Sequence, residues 1–292
     1  IFPQEYQDFL SYLSFFNFDI SAIMSYTCLF SPNFYGRFKL ITITPLVVLM
    51  MLAITYCVAQ KRCSSSPEHL MRMRSRHLSA ALFVMFFVYS SVSSAAFQML
   101  ACEEIGDLSL LRADYSISCM GGKYAAYVSC SLGIIIVFSI GMPAFLWIWV
   151  SDNREHLKTP DRQTTAHLQP FSSVWSTYKP SRYYYEVVEY GRRLALSWTS
   201  VFLVPSSVNH IAVVLCLAGV FLFISESLSP FQNSVDMSLY RWGNGVVLAS
   251  MFLALLTKAD ESSDESLSVF GWVLILSNIV MIVAVVGEAL FL

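Results

Sequence analysis

Seven long apolar runs alternate with polar segments along this chain. They cover residues 40–60, 79–101, 124–150, 185–204, 209–225, 242–257 and 267–292. A helix rises about 1.5 Å per residue, so about 20 apolar residues cross the ~30 Å hydrocarbon layer of a bilayer. Four runs meet that length, and the run at 185–204 meets it when its tyrosine-rich start is counted. The runs at 209–225 and 242–257 are shorter and need their flanking residues to complete the crossing. The pattern predicts an all-α, polytopic membrane helix bundle of about seven transmembrane helices over residues 40–292.

Residues 1–39 are too polar to span a bilayer but are rich in aromatic side chains such as Phe15, Phe16 and Phe18. This composition predicts an amphipathic, interfacial N-terminal helix in an extracytoplasmic segment, 1–39. The chain opens Ile-Phe-Pro, without an initiator Met or a signal-peptide pattern, so we expect a fragment of a longer polypeptide.

The basic residues are distributed unevenly between the gaps that separate the apolar runs. Five of the eighteen lie in one set of alternate gaps, which is rich in acids. The other thirteen lie in or beside the remaining gaps: Lys61, Arg62, Arg72, Arg74, Arg76, Arg154, Lys158, Arg162, Lys179, Arg182, Arg192, Arg193 and Arg241. By the positive-inside rule these gaps are cytoplasmic. Seven spans then place the N-terminal side outside and the C-terminus in the cytoplasm.

The overall composition excludes several classes of function. The chain is 56% hydrophobic and 13% charged, whereas soluble domains carry about 25% charged residues. No basic patch is interleaved with base-stacking aromatics, so we expect no nucleic-acid partner. Catalytic motifs such as HExxH or GxSxG are missing, and the five histidines do not cluster like metal ligands. The expected partner is the lipid bilayer, with no enzymatic activity, cofactor or metal site.

Three of the seven cysteines are predicted to lie outside the membrane: Cys28, Cys102 and Cys119. Cys102 and Cys119 flank one loop, and an oxidising compartment would favour their pairing. Closing such a loop contributes roughly 3 kcal/mol in the chain-entropy model. Free thiols are the alternative. Cys28 could also replace either partner or pair with something outside this fragment.

The longest non-apolar stretch, 151–184, is interpreted as a partly ordered cytoplasmic loop. Four charged residues follow it at the start of the fourth span: Glu186, Glu189, Arg192 and Arg193. Spacings of three and four place them on one helix face. They predict a salt-bridged cytoplasmic collar, or alternatively an element that couples gating to the neighbouring loop.

Acidic residues mark two further candidate sites. Asp260, Glu261, Asp264 and Glu265 form an acidic outer loop, which could serve as a ring at a pore mouth. The loop is too short to hold a selectivity filter as well. Glu288 is an acid inside the last apolar run, where such residues are functional candidates unless the side chain reaches the interface.

The second run is dense in small and hydroxyl residues, among them Ser93, Ser94, Ala95 and Ala96. Such residues favour close helix packing in lipid. A polar translocation path is the alternative interpretation.

Several strings resemble the membrane domain of TRP-like, polycystin-like proteins of algae, oomycetes and other protists. They are FLSYLSFFNFDI and FYGRFKLITITPLVV within residues 9–48, ACEEIGDLSLLRADYSISCMGGKY at 101–124, SIGMPAFLW at 139–147, YKPSRYYYEVVEYGRRLAL at 178–196, and LSPFQN at 228–233. In that family the membrane domain often follows an ectodomain of Cys-rich repeats of the EGF or ephrin-receptor type. The resemblance implies a cation channel domain in a plasma or ciliary/flagellar membrane.

Three functions remain open. The first is a cation channel or channel-like subunit, with cations and other membrane subunits as partners. The second is a non-conducting anchor for an extracellular filament or adhesive ectodomain. The third is a seven-span receptor, for which the predicted topology is suitable.

Overall fold

The computed structural model describes residues 8–9, 33–62, 67–159, 165, 168–202, 207–259, 275–280, 282–283 and 286–287. Some predicted features lie outside these residues: Cys28, Cys63, Asp260, Glu261, Asp264, Glu265 and Glu288. Most of the predicted interfacial helix and of the run at 267–292 also lie outside them.

Long helices dominate the described residues. They are α1 (Phe34–Arg62), α2 (Pro67–Gln98), α3 (Gly122–Ile134), α4 (Gly141–Asp152), α5 (Arg154–Lys158), α6 (Ser172–Trp175), α7 (Tyr185–Phe202), α8 (Val208–Leu228) and α9 (Ser234–Ala259). A π-helical turn, Ile135–Ile140, joins α3 to α4 without a break.

Within the part of the chain that the structure describes, five stretches are long and apolar enough to cross a bilayer. They are Phe34–Lys61, Leu70–Gln98, Gly122–Asp152, Val208–Leu228 and Ser234–Leu256. Their surfaces are apolar as well: Leu46 is 63% exposed and Val137 76% exposed. The prediction of a helical membrane bundle is confirmed in this respect, but the count of seven spans is not. Helix α7 has only 18 residues and carries four charges in its first nine.

The chain divides into two compact units. Unit A comprises Asn17–Ser197, and unit B comprises Ile1–Phe16 with Trp198–Leu292. In unit A, α1 packs along α2, and α2 packs against α3 and the π-helical turn. In unit B, α8 and α9 pack together, and Ser229 makes the turn after α8 with a left-handed backbone at φ 41°.

A small antiparallel sheet, in the order β1-β2-β3, departs from the all-α prediction. Its strands are β1 (Cys102–Ile105), β2 (Leu108–Leu111) and β3 (Asp114–Ser118). Only Gly106 and Asp107 separate β1 from β2, and Gly106 has φ +62°. A two-residue loop that begins with glycine in this conformation suits a tight hairpin, because L-residues avoid positive φ. Leu111 and Ile117 turn inward and are buried.

The segment at 151–184 is more ordered than the sequence predicts. Its described residues form α5, α6 and two short 3-10 turns, Gln169–Phe171 and Pro180–Arg182. Trp175 is buried in unit A's core, and its indole Nε1 donates a hydrogen bond to the carbonyl of Leu168 at 3.2 Å. Trp149 of α4 stacks on Phe171 with ring centroids 4.3 Å apart. Aromatic packing therefore attaches this segment to the end of α4.

Candidate functional site

The charged half of α7 is the strongest candidate site among the described residues. Glu189 is only 6% exposed. Arg192 lies three residues later and donates two hydrogen bonds to its carboxylate, one of them from Nε at 3.0 Å. Arg193 lies four residues later, with Nε 3.5 Å from Glu189 Oε1. We call these three residues the Glu189 cluster.

Arg193 also connects α7 to α2. Its Nη1 donates to the backbone carbonyl of Phe86 at 3.1 Å. The guanidinium carbon lies 3.6 Å from the centre of the Phe86 ring, a cation–π distance. Burying two charges is costly unless their hydrogen-bonding groups are satisfied. Here one carboxylate, one carbonyl and one aromatic face contact the two guanidinium groups, whereas Arg193 Nε is buried and makes no hydrogen bond to a described residue.

Aromatic rings surround the cluster and extend to the π-helical turn. Tyr190 packs edge-on against Tyr89 and Phe86, with centroids 4.7 and 5.4 Å apart. The Tyr89 hydroxyl donates to the carbonyl of Ser139. A π-helical turn disturbs the regular α-helical ladder, and such turns are frequent at functional sites. These contacts connect the Glu189 cluster to the π-helical turn through Tyr190 and Tyr89.

The serines of the second apolar run are used in packing. Ser139 Oγ donates to Ser93 Oγ at 2.9 Å, and both residues are fully buried. Ser131 Oγ donates to the carbonyl of Ala96. Ala95 and Ala96 are buried in the same contact. For these residues, close helix packing is observed rather than a polar path.

The predicted collar is divided in two. Glu189 binds both arginines, whereas Glu186 accepts a 2.8 Å hydrogen bond from the Tyr178 hydroxyl, in the segment before α7. Burial, together with the nearby Glu186 charge, raises the pKa of Tyr178. Tyr178 therefore remains a hydrogen-bond donor throughout the ordinary pH range.

At the opposite end of unit A, the structure contains a disulfide between Cys102 and Cys119, with the Cα atoms 6.4 Å apart. It joins the start of β1 to the residue after β3. Tyr124 of α3 contacts the Cys102 sulfur at 3.0 Å and donates to the carbonyl of Met99 at 3.0 Å. The sheet is thus fixed to the ends of α2 and α3.

Sequence reasoning missed two features near the sheet. Asp114 Oδ2 accepts a 2.9 Å hydrogen bond from the amide of Phe34, the first residue of α1. Lys123 lies over the ring of Tyr35 at 4.9 Å, and Tyr35 packs on Tyr127 at 4.2 Å. No local pattern in the sequence reveals these pairings, because the partners lie on separate elements.

Among the described residues, no group of three or more His, Cys, Asp or Glu side chains is placed to hold a metal ion. In the Glu189 cluster, one buried carboxylate compensates the charges of two arginines. It can hold two positive charges in place between α2 and α7.

No family model, no curated protein and no solved structure matches this chain.

Proposed function

We propose that this chain is the membrane-embedded domain of a larger surface protein and acts as a TRP-like cation channel or channel-like subunit. The Glu189 cluster carries the proposal. Arg193 contacts Phe86, which lies within the apolar stretch Leu70–Gln98, and charged residues at membrane depth are costly and mark ion pathways or voltage-sensing elements. Two arginines on one helix, compensated by a buried carboxylate, suit a voltage-responsive element. The resemblance to TRP-like membrane domains supports the same function.

The orientation belongs to the same proposal. The arginine-bearing ends of the helices face the cytoplasm of a plasma or ciliary membrane, and the sheet faces outside. With α7 counted as a further span, the acidic loop at 260–265 is on the outer side, where it would concentrate cations.

The cation path lies between chains, according to this proposal. Ser93, Ser131 and Ser139 use their hydroxyl groups in hydrogen bonds between packed segments of unit A, so these three side chains support helix packing and not a path through the unit. Conduction then requires several subunits around a common axis, with partners of the same or a related type.

Electrical recording from the reconstituted chain tests this function. We expect cation currents whose voltage dependence changes in Arg193→Gln, since one charge in the membrane field is worth about 2.3 kcal/mol per 100 mV. Arg154→Gln, in α5, removes an exposed charge outside the spans and should leave the voltage dependence unchanged. An electrically silent bilayer containing folded, oligomeric protein would refute the channel function.

A second function, a non-conducting anchor for an extracellular filament or adhesive ectodomain, is favoured by the sheet. Large apolar residues are exposed beside it: Leu108 at 62%, Met120 at 72%, Tyr115 at 52% and Ile105 at 50%. A disulfide-fixed surface of this kind suits protein contact.

Cross-linking on intact cells tests the anchor. A cysteine at Ser116 should cross-link to an extracellular partner, and Leu108→Asp in the same background should reduce the yield. Asp107→Asn, at the hairpin tip, should leave the cross-linking yield unchanged. Equal yields from the two variants would exclude the sheet surface as the attachment point.

A further inference from the structure

A groove between α1 and α2 has a shape and charge that no proposed function uses. It encloses about 300 Å³ and is lined by Leu49, Leu52 and Ala53 from α1 and by Arg74, His77 and Ala81 from α2. This volume is at the lower end of ordinary ligand pockets.

The groove is amphipathic along its length. Leu49 and Tyr56 are seven positions apart, so the α1 wall extends about 10 Å along the helix axis. Apolar side chains line the part nearer the middle of α1. The part nearer the C-terminal end of α1 and the N-terminal end of α2 is lined by Tyr56, Arg74 and His77.

The polar end is preorganised. The rings of Tyr56 and His77 meet edge to face, with centroids 5.6 Å apart. His77 Nδ1 lies 2.9 Å from the carbonyl of Met73. A carbonyl only accepts hydrogen bonds, so Nδ1 is the donor and Nε2 remains as the other polar atom of the ring. Arg74 is exposed beside this pair and can reach a ligand at the groove mouth.

The surrounding charge is positive. Lys61 lies in the last turn of α1, and Arg72 and Arg76, each two positions from Arg74, add positive charge on the other face of the first turns of α2. Basic clusters directly beside a membrane span attract anionic lipid headgroups. A ligand that matches both ends of the groove has an anionic head and an aliphatic chain.

We propose that this groove binds one anionic glycerophospholipid of the surrounding leaflet. The phosphate and headgroup lie against Arg74, with His77 and Tyr56 beside them, and the first part of an acyl chain lies against Leu49, Leu52 and Ala53. This inference needs only the membrane location of α1 and α2, so it stands whether or not the chain conducts ions.

Native mass spectrometry of the full chain, released from bilayers of mixed phosphatidylserine and phosphatidylcholine, tests the proposal. We expect the wild type to retain phosphatidylserine in preference to phosphatidylcholine. Arg74→Gln should reduce that preference about fivefold, which corresponds to ~1 kcal/mol per cation near the surface. Arg154→Gln removes the same charge from the other basic segment and should have no effect.

A second pair of variants distinguishes lipid binding inside the groove from general electrostatic attraction of lipid to the basic surface. Ala53→Trp fills the groove without changing charge and should abolish lipid retention, whereas Val58→Trp places a tryptophan on an exposed position on the opposite face of α1 and should not. Ala81→Phe blocks the groove from α2 if Ala53→Trp fails to fold, as judged by circular dichroism. Unchanged retention in the folded groove-filling variant, or equal loss in Arg74→Gln and Arg154→Gln, would overturn the proposal.

Discussion

Asp114 joins two segments that lie 80 positions apart in the chain. Its carboxylate accepts a hydrogen bond from the backbone amide of Phe34 at the start of α1. The first turn of a helix has free N–H groups and a partial positive charge, and both favour a carboxylate there. Ser116 adds hydrogen bonds from its amide at 3.1 Å and its hydroxyl at 2.6 Å. One side chain thus holds β3 against the first turn of α1.

We expect Asp114→Ala, which removes the hydrogen-bond acceptor, to destabilise unit A by about 1 kcal/mol, the usual cost of losing a helix cap. Thermal unfolding in detergent measures the effect. Asp107→Asn removes the same charge from the exposed hairpin tip and serves as the control, with little change in Tm. Equal shifts in the two variants would mean that the contact with Phe34 contributes nothing.

The same carboxylate predicts a pH dependence. Burial alone would raise the pKa of Asp114, but the hydrogen bonds from Ser116 and Phe34 outweigh burial and lower it. A lowered pKa means that the stabilisation is complete above the unfolded value, about 3.9, and is lost as pH falls through the folded value. The Tm difference between wild type and Asp114→Ala should therefore be constant near pH 7 and become smaller below pH ~4. A difference that stays constant on acidification would contradict this account.

Glu189 compensates two arginines, so its removal should be severe. Glu189→Leu leaves both guanidinium groups without their carboxylate, and losing one partner of a buried ion pair costs about 3–5 kcal/mol. Glu226→Leu breaks the exposed pair with Arg241 and should cause only a small shift, because exposed pairs contribute little. Unfolding midpoints of the two variants in the same detergent give the comparison. Similar midpoints would show that the Glu189 cluster is not a buried, compensated site.

At the scale of elements, the apolar runs predicted the helices well because the requirement to cross lipid is simple. The structure extends several of them: the run at 40–60 becomes Phe34–Arg62, and the run at 242–257 becomes Ser234–Ala259. These extensions add polar turns that hydropathy does not count. The sheet was missed although Gly106-Asp107, between the short segments CEEI and LSLL, is a hairpin signal.

Gly106 is the position on which the hairpin turn depends. At φ +62° an L-residue costs about 1–2 kcal/mol, so Gly106→Val should destabilise the hairpin by roughly that amount. Gly122→Ala changes a glycine with an ordinary backbone and open space around it, and it should be neutral. Hydrogen exchange of the β1 and β2 amides measures the local effect. Unchanged protection in Gly106→Val would mean that the turn tolerates a side chain.

At the scale of the whole molecule, two units share one chain, and this division could not be predicted from hydropathy. The apolar runs look alike along the sequence, yet α8 packs with α9, while α1 packs with α2. The predicted collar gave only part of the site, because helix spacing does not show which elements pack together. Its spacing indicated that Glu189 would meet Arg193, but the contacts of Arg193 with Phe86 and of Glu186 with Tyr178 depend on packing between elements.

The proposed channel and anchor functions both depend on the proposed orientation of the chain, and thiol labelling of intact cells tests that orientation directly. In a background with Cys28→Ser and Cys63→Ser, one variant carries Asp107→Cys at the hairpin tip and another carries Ser176→Cys after α6, both at exposed positions. We expect a membrane-impermeant maleimide to label the hairpin cysteine from outside and the other only after permeabilisation. Labelling of both from the same side, or the reverse order, would contradict the account.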